Sequence, residues 1–232
     1  MIHRTSQTIA RRRTRLGVLL ASLRRNTSGV ALVEFALTLP VLTAMGMYGV
    51  EIAYMSSVNM QMSQMALELA DNASRMQQTN NSTVAPTVTE TDIDTIMSGV
   101  IKRGENFRFA QNGRVILSSL EKDPATGKQF IHWQRCAGSL LVPSAYGNDS
   151  DSNGLNGGTL TGMGSGSTKA IATTGIAVMF VELTYDYSGI FGTLFVNNVR
   201  FRQEASYIVR DLRDLRASNV SGVTGSGGSS QC

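Results

Sequence analysis

The feature that most constrains this chain is an apolar run, residues 30–50, that follows an arginine-rich segment. Glu34 is the only charged residue in the run, and Glu51 comes directly after it. At 1.5 Å of rise per residue, a helix over this run measures about 31 Å, close to the hydrocarbon thickness of a bilayer. The run therefore predicts a membrane-spanning helix, with the basic segment as its cytoplasmic flank.

Two alternatives for the apolar run are a buried helix of a soluble protein and a removable secretory signal. Buried helices this long rarely follow a block of arginines. A secretory signal would have a shorter apolar region with a clean small-residue cleavage site after it. Pro40 removes one backbone donor and is expected to kink or loosen the helix, which membrane helices tolerate.

The charge of the chain is unevenly distributed. The net charge is +4, but the excess of basic residues lies before residue 30. No basic patch with interleaved aromatic residues follows, so nucleic acid is not expected as a partner. The 232 residues, 42% of them apolar, suffice for a membrane segment and one modest core.

Beyond the run, residues 30–78 are predicted to form one helix that leaves the membrane and continues as an amphipathic stalk. Its methionines, including Met60, Met62 and Met65, are predicted to pack either against sister helices or against the chain's own domain. Residues 79–90 are predicted to be a linker, because Asn, Thr, Ser and Pro dominate there without an apolar period.

The remainder predicts a small α+β domain outside the membrane, residues 91–216, followed by a flexible Gly/Ser tail, residues 217–232. Helical spacing predicts a short amphipathic helix over residues 91–102. The predicted strands are rich in β-branched and aromatic residues and cover residues 114–120, 128–136, 176–187 and 199–209. The first two flank a turn at residues 123–127 and predict a hairpin.

The N-terminal apolar run resembles that of a known family. The run that begins Gly29-Val-Ala-Leu-Val-Glu34-Phe35 and continues to Gly49-Val-Glu51 resembles the N-terminal signature of TadE-like proteins. These are minor pilins or pseudopilins of the Flp (Tad) type IVb pilus machinery. Residues 181–187 and 201–215 are similar to the family's periplasmic part.

The resemblance implies a pilin-like fold, with a long N-terminal transmembrane helix that continues as a stalk into a periplasmic domain with an antiparallel sheet. It implies a single-pass protein of the bacterial inner membrane whose N-terminus is cytoplasmic. A prepilin peptidase would cut between Gly29 and Val30 and remove the leader, residues 1–29. The mature chain would join other Flp/Tad pilins and inner-membrane pilus assembly proteins, and it would enter the filament or help to build it for surface adhesion.

Two departures from the major Flp pilins indicate a minor component. The C-terminal domain is much larger than a Flp pilin, and Glu34 is followed by Phe35 where those pilins have tyrosine. The alternative function is a single-pass, membrane-anchored binding domain unrelated to pili. An exported enzyme is the third class.

Glu34 has two interpretations. Cleavage at Gly29 creates an amine on Val30, and the Glu34 carboxylate can meet that amine on a neighbouring subunit, where a low dielectric strengthens the pair. Alternatively, Glu34 lies near the membrane surface and only reaches towards water, because it is about 6 Å of helix rise from Val30.

No catalytic residues are predicted. The chain has two histidines, His3 in the leader and His132. Neither a zinc site with several histidine ligands nor a Ser/His/Asp triad is therefore expected outside the membrane. Glu182, Asp186 and Glu204 are interpreted as acids on strand faces, since nothing in their spacing selects acid–base chemistry.

One loop resembles part of a calcium site. Asp149, Asp151 and Asn153 repeat the opening of an EF-hand loop, but the twelfth position is Leu160 where a bidentate Glu is required. A full EF-hand is therefore excluded. No cofactor is expected, and Ca²⁺ remains a weak alternative to a solvated surface loop.

Cys136 and Cys232 are the only cysteines, and both follow the membrane segment. An exported compartment permits disulfides, so we predict an intramolecular bond that closes a long loop and holds the tail. The alternatives are a free thiol at Cys136 with a disordered tail, and pairing between chains through Cys232.

Overall fold

A computed structural model describes residues 29–76, 88–149, 155, 160–210, 213, 215, 222–225, 228–230 and 232. The chain divides into two compact units, Met1–Val50 and Glu51–Cys232. The first unit contributes one apolar helical segment, and the second is an α+β domain. The predicted class, a long N-terminal apolar helix followed by a domain with an antiparallel sheet, is confirmed.

The long helix, α1, covers Val30–Ser74 and therefore contributes to both units. Pro40 lies inside it and does not end it. In the first unit, its large apolar side chains are exposed, including Leu32, Leu37 and Leu42. In the second unit, the helix buries a stripe of residues spaced three or four apart, which form the centre of the core: Val58, Met62, Met65, Ala66, Leu69, Ala70 and Ala73.

This stripe resolves the two interpretations of the methionines. Met62 and Met65 are fully buried in the chain's own domain, whereas Met60 is 61% exposed. Because burial begins at Glu51, the segment predicted as a stalk is a structural helix of the domain. The helix ends at Ser74, earlier than the predicted position 78, and residues 77–78 lie outside the described part of the chain.

Most of the predicted linker, residues 77–87, lies outside the described residues, but its end is structured. Strand β1 is Val88–Thr89, and helix α2 follows as Glu90–Arg103. The Thr89 hydroxyl accepts from the Asp92 N–H at 3.2 Å, and the Asp92 carboxylate accepts from the Thr89 N–H at 3.3 Å. This capping box explains why the helix begins before the predicted residue 91. A 3₁₀ turn, Glu105–Phe107, and the short helix α3, Phe109–Asn112, lead into the sheet.

Four antiparallel strands form the sheet in the order β3-β2-β4-β5. Their bounds lie within two residues of the predicted ones: β2 Gly113–Lys122, β3 Gln129–Ala137, β4 Val178–Asp186 and β5 Arg200–Ile208. The predicted hairpin joins β2 and β3. In the turn, Asp123 accepts hydrogen bonds from the N–H groups of Ala125 and Thr126. Gly127 has a φ of 70°, a left-handed conformation that glycine adopts readily.

The two faces of the sheet are covered differently. One face packs against α1 and α2 through Leu117, Val181 and Leu183. The other buries Leu120, Ile131 and Phe180 beneath the long connection between β3 and β4, which contributes Met163 and Ala172. The helices therefore occupy one side of the sheet, and a loop closes the other.

The C-terminal segment differs from the predicted flexible tail. Strand β6, Val223–Thr224, pairs in parallel with Val88–Thr89. The N–H groups of Ser229 and Ser230 donate to the Asp94 carboxylate at 2.9 and 3.1 Å, which holds the pKa of Asp94 below its usual value. Glycine-rich composition predicted flexibility, but backbone hydrogen bonds need no particular side chain, and they attach these residues to the domain.

Candidate processing and assembly site

Gly29 lies directly before α1, and the described residues leave space beside it. Apart from its chain neighbours, no described residue would have an atom within 4 Å of a Cβ atom built on Gly29. Its backbone also lies outside the left-handed region in which glycine is favoured. Among the described residues, neither packing nor backbone conformation therefore requires a glycine at this position.

In the first unit, α1 presents an apolar surface on all sides. None of its most apolar part is buried within the chain. Val30 is 52% exposed and Phe35 is 63% exposed. A surface of this kind is stable only against lipid or other apolar helices. The described part of the chain thus has one helix that is long and apolar enough to cross a membrane, consistent with a single-pass membrane anchor.

Glu34 is exposed within this apolar surface. Since it lies four residues after Val30, the two residues are on the same face of the helix. The polar hydroxyls nearby are already satisfied inside the helix: Thr38 donates to the Phe35 carbonyl, and Thr43 donates to the Leu39 carbonyl at 2.8 Å. Glu34 is consequently the polar group of this segment that is available to a partner.

Glu51 lies at the start of the second unit and differs sharply from Glu34. It is 1% exposed and accepts a hydrogen bond of 2.6 Å from the Tyr187 hydroxyl and one of 3.2 Å from the Phe191 N–H. A Cβ atom on Gly189 would lie 2.6 Å from the backbone carbonyl oxygen of Gly192 and 2.6 Å from the Glu51 Oε1 atom, so any other residue would force the backbone to shift. Burial, followed by the hydrogen bond to Glu51, raises the pKa of the Tyr187 hydroxyl well above its ordinary value.

Sequence pattern alone gives Glu51 no role beyond its place in the family resemblance. The signal that could have identified it is its position, because a carboxylate directly after an apolar run needs a donor if it is buried. Tyr187 lies 136 positions further along the chain, so the identity of that donor could not be read from local spacing.

We expect Tyr187→Phe to destabilise the domain by about 1–3 kcal/mol, because it leaves a buried carboxylate with one donor fewer. Urea unfolding of the full chain in detergent, followed by near-UV circular dichroism, measures this loss. Tyr207→Phe is the matched control, since Tyr207 is only half-buried, and we expect it to change stability by less than about 0.5 kcal/mol. Equal unfolding midpoints for the two variants would contradict the role of Tyr187.

The acids considered for catalysis have structural contacts. Glu182 and Glu204 are paired on β4 and β5. Glu182 accepts from the Ala145 N–H at 2.9 Å, and Glu204 accepts from the Tyr146 hydroxyl and the Ser165 N–H, each at 2.8 Å. The two carboxylates therefore attach the long β3–β4 connection to the sheet.

Their electrostatics follow from these contacts. Burial raises the pKa of Glu182, and burial together with the hydrogen bond to Glu204 raises the pKa of Tyr146 to about 12. Asp186 is different, because its hydrogen bonds from Arg200 lower its pKa.

His132 lies on β3 beside Glu121. Its Nδ1 atom is 2.9 Å from the Glu121 Oε1 atom, and both side chains are buried. The Ser119 hydroxyl donates to the same carboxylate oxygen at 3.0 Å. His132 is therefore part of a buried polar cluster on the hairpin.

The residues of the calcium alternative are only partly described. Asp149 accepts from the Gln134 N–H at 3.0 Å, so part of its carboxylate is occupied by the backbone of β3. Asp151 and Asn153 lie outside the described residues. Within the described part of the chain, no group of three or more His, Cys, Asp or Glu side chains is arranged to hold a metal ion.

Cys136 and Cys232 are joined by a disulfide in the structure, with their Cα atoms 4.9 Å apart. Beside it, the Cys136 N–H donates to the Ser230 carbonyl at 2.8 Å. The bond thus attaches the end of the chain to β3, the edge strand of the sheet.

Comparison with known proteins assigns the N-terminal segment. Residues 29–71 match the family model described as TadE-like protein. No curated protein and no solved structure matches the chain significantly. The match begins at the glycine before α1 and spans both Glu34 and Glu51. Residues 181–187 and 201–215, which also carried the resemblance, lie outside it. Over residues 29–71 the chain is similar to the TadE-like family.

Proposed function

We propose that this chain is a minor pilin or pseudopilin that takes part in assembling a Flp/Tad type IVb pilus for surface adhesion. The observation that carries the proposal is the exposed apolar helix with Gly29 before it and Glu34 on its first turns, within the segment that matches the TadE-like family. That family suggests involvement in Tad pilus systems. The large folded domain favours a minor component over the bulk filament subunit.

Processing is the first step of the proposed function. A prepilin peptidase removes residues 1–29 and leaves Val30 as the new N-terminus. The space beside Gly29 supports this, because no described residue packs so closely that a glycine is required there. The N-terminus starts in the cytoplasm, α1 crosses the inner membrane once, and the domain folds in the periplasm.

Assembly is the second step. The exposed apolar residues of α1 pack against the corresponding helices of other Flp/Tad pilins and of inner-membrane assembly proteins. The Glu34 carboxylate of one subunit pairs with the Val30 amine of a neighbour. In a low-dielectric environment this pair contributes more than in water and favours one stagger between helices.

The whole proposal is tested in the producing cell by deleting the gene and restoring it with wild-type protein. We expect deletion to remove surface pili and restoration to return them. We also expect the protein extracted from membranes to begin at Val30. Normal piliation without the protein, together with an unprocessed N-terminus, would favour the alternative of a membrane-anchored binding domain unrelated to pili.

Glu34→Ala separates insertion from assembly. We expect the variant to enter the membrane normally, because it removes a polar group from an apolar helix. Its co-purification with other pilus subunits should fall by more than about tenfold, the equivalent of about 1.4 kcal/mol, since the partner's buried amine loses its counter-charge.

Thr38→Ala is the control for this experiment. Thr38 lies one turn further along α1, and its hydroxyl only donates within its own helix. We expect this variant to co-purify like the wild type. Undiminished co-purification and normal piliation with Glu34→Ala would instead favour the interpretation in which Glu34 only reaches towards water.

A further inference from the structure

The connection between β4 and β5 is an apolar loop, residues 187–199, with an unusual surface. No residue between Asp186 and Arg200 is charged. Ile190 is 51% exposed and Leu194 is 68% exposed, and two phenylalanine rings between and beside them pack edge to face at 6.0 Å. An exposed cluster of large apolar side chains on a single loop indicates a contact with another apolar phase.

The position of the apolar loop indicates which apolar phase it contacts, the lipid bilayer. The loop is held to Glu51 by the Tyr187 hydroxyl and the Phe191 N–H. Glu51 follows Val50 directly, and Val50 is the last residue of the exposed apolar run. If the run spans the bilayer, Glu51 lies where the chain emerges, so a loop within hydrogen-bond distance of Glu51 lies at the same level.

The neighbours of the apolar loop fit a membrane surface. Tyr54, half-buried on α1, lines a recess together with Ile190 and is the type of residue that is enriched at the boundary between lipid and water. Arg108 and Asn106 line the same recess as Ile190, which places a guanidinium group beside the apolar side chains. This combination of apolar side chains with adjacent aromatic and basic groups is typical of interfacial membrane segments.

We propose that the apolar loop is a second membrane contact, which inserts Ile190 and Leu194 into the lipid interface of the leaflet from which α1 emerges. The loop then holds the domain close to the bilayer. This proposal rests on the membrane insertion of α1, but not on processing or on any pilus partner.

Ile208 provides a matched control position. It is 60% exposed and apolar, like Leu194, but it lies at the opposite end of the sheet, paired with Val178. Along β4 the two ends are about 27 Å apart. The nearby Arg210 N–H donates to the carbonyl of Ser74, the residue at the far end of α1 from Glu51. A residue there should remain in water.

The test uses the full chain in phospholipid vesicles whose acyl chains carry bromine, which quenches tryptophan fluorescence on contact. The chain has a single tryptophan, Trp133, which is buried and supplies the baseline. Leu194→Trp reports on the loop, Ile208→Trp on the far end of the sheet and Leu42→Trp on the membrane helix. Ile190→Trp is the second loop variant, used if Leu194→Trp does not fold.

We expect brominated lipid to remove most of the added emission of Leu194→Trp and Leu42→Trp, and to leave that of Ile208→Trp unchanged. Quenching of Leu42→Trp without quenching of either loop variant would overturn the proposal and leave the membrane anchor intact. Equal quenching of Ile208→Trp would also overturn it, because the contact would then not belong to the loop.

Two further outcomes contradict the proposal and are distinguishable. If Leu42→Trp is not quenched, the helix is not inserted, and both the anchor and the loop contact fail. If the loop tryptophan is shielded from acrylamide only in vesicles crowded with protein, and is never quenched by lipid, the apolar loop is covered by another subunit and not by the bilayer.

Discussion

Replacing Gly29 with leucine is expected to leave the leader attached while the rest of the chain folds and inserts normally. The reason is that a side chain at Gly29 has open space in the folded protein, yet a peptidase that accepts only a small residue before the scissile bond cannot bind leucine there. The defect should therefore be one of processing and not of stability.

The measurement is the intact mass of the membrane-extracted protein from cells with and without an active prepilin peptidase. Wild-type protein should lose residues 1–29 only when the peptidase is present. Gly49→Leu is the matched control, because a Cβ atom at Gly49 also has nothing within 4 Å, and we expect that variant to be processed. A Gly29→Leu chain that begins at Val30 would refute the proposed cleavage site.

The contrast between Glu34 and Glu51 shows how one helix carries two kinds of acid. Glu34 is exposed on an apolar surface, where a carboxylate is costly unless another molecule supplies a counter-charge. Glu51 is buried and accepts hydrogen bonds from Tyr187 and Phe191 of its own domain. The first is available for assembly, whereas the second determines where the apolar loop lies.

Local patterns predicted the elements of this fold well, because their signals lie within short stretches of sequence. In the hairpin turn, Asp123 accepts a backbone hydrogen bond and Gly127 adopts a positive φ, and both residue types are typical of turns. The strands on either side are rich in β-branched residues. The apolar run of α1 and the amphipathic spacing of α2 are equally local. The family match was predicted for the same reason, since its residues are contiguous.

Features that depend on distant residues could not be predicted. The place of β4 beside β2 depends on pairings such as Gly113 with Tyr185, which no local pattern encodes. The contact of Tyr187 with Glu51 is also long-range. The second half of α1 was predicted to be a stalk, because its stripe of methionines suits a partner helix as well as its own sheet.

The C-terminal segment is more ordered than its composition predicts, for a physical reason. A segment rich in glycine and serine has few side chains that can pack into a core, so its composition predicts disorder. Here the attachments come from the backbone: Val223 pairs with Val88, and Ser230 binds both Asp94 and Cys136. Their partners lie far away in sequence, so only the cysteine at the very end signalled that this segment is held.

Removing the disulfide by replacing both Cys136 and Cys232 with alanine is expected to destabilise the domain by about 4–5 kcal/mol. The bond closes a loop with a sequence separation of 96. In the chain-entropy account, a loop of about this length restricts the unfolded chain by that amount. The backbone bonds of Val223 and Ser230 remain, so we expect the folded structure to persist and the stability alone to fall.

Urea unfolding of the full chain in detergent, followed by the fluorescence of Trp133, measures this change, because Trp133 is buried on the strand that carries Cys136. Reductant supplies the matched control. It should lower the unfolding midpoint of the wild type to that of the double variant and leave the double variant unchanged. A wild-type midpoint that does not respond to reductant, with two free thiols in the unreduced protein, would show that the bond does not form; a dimer that reductant dissociates would instead favour pairing through Cys232 between chains.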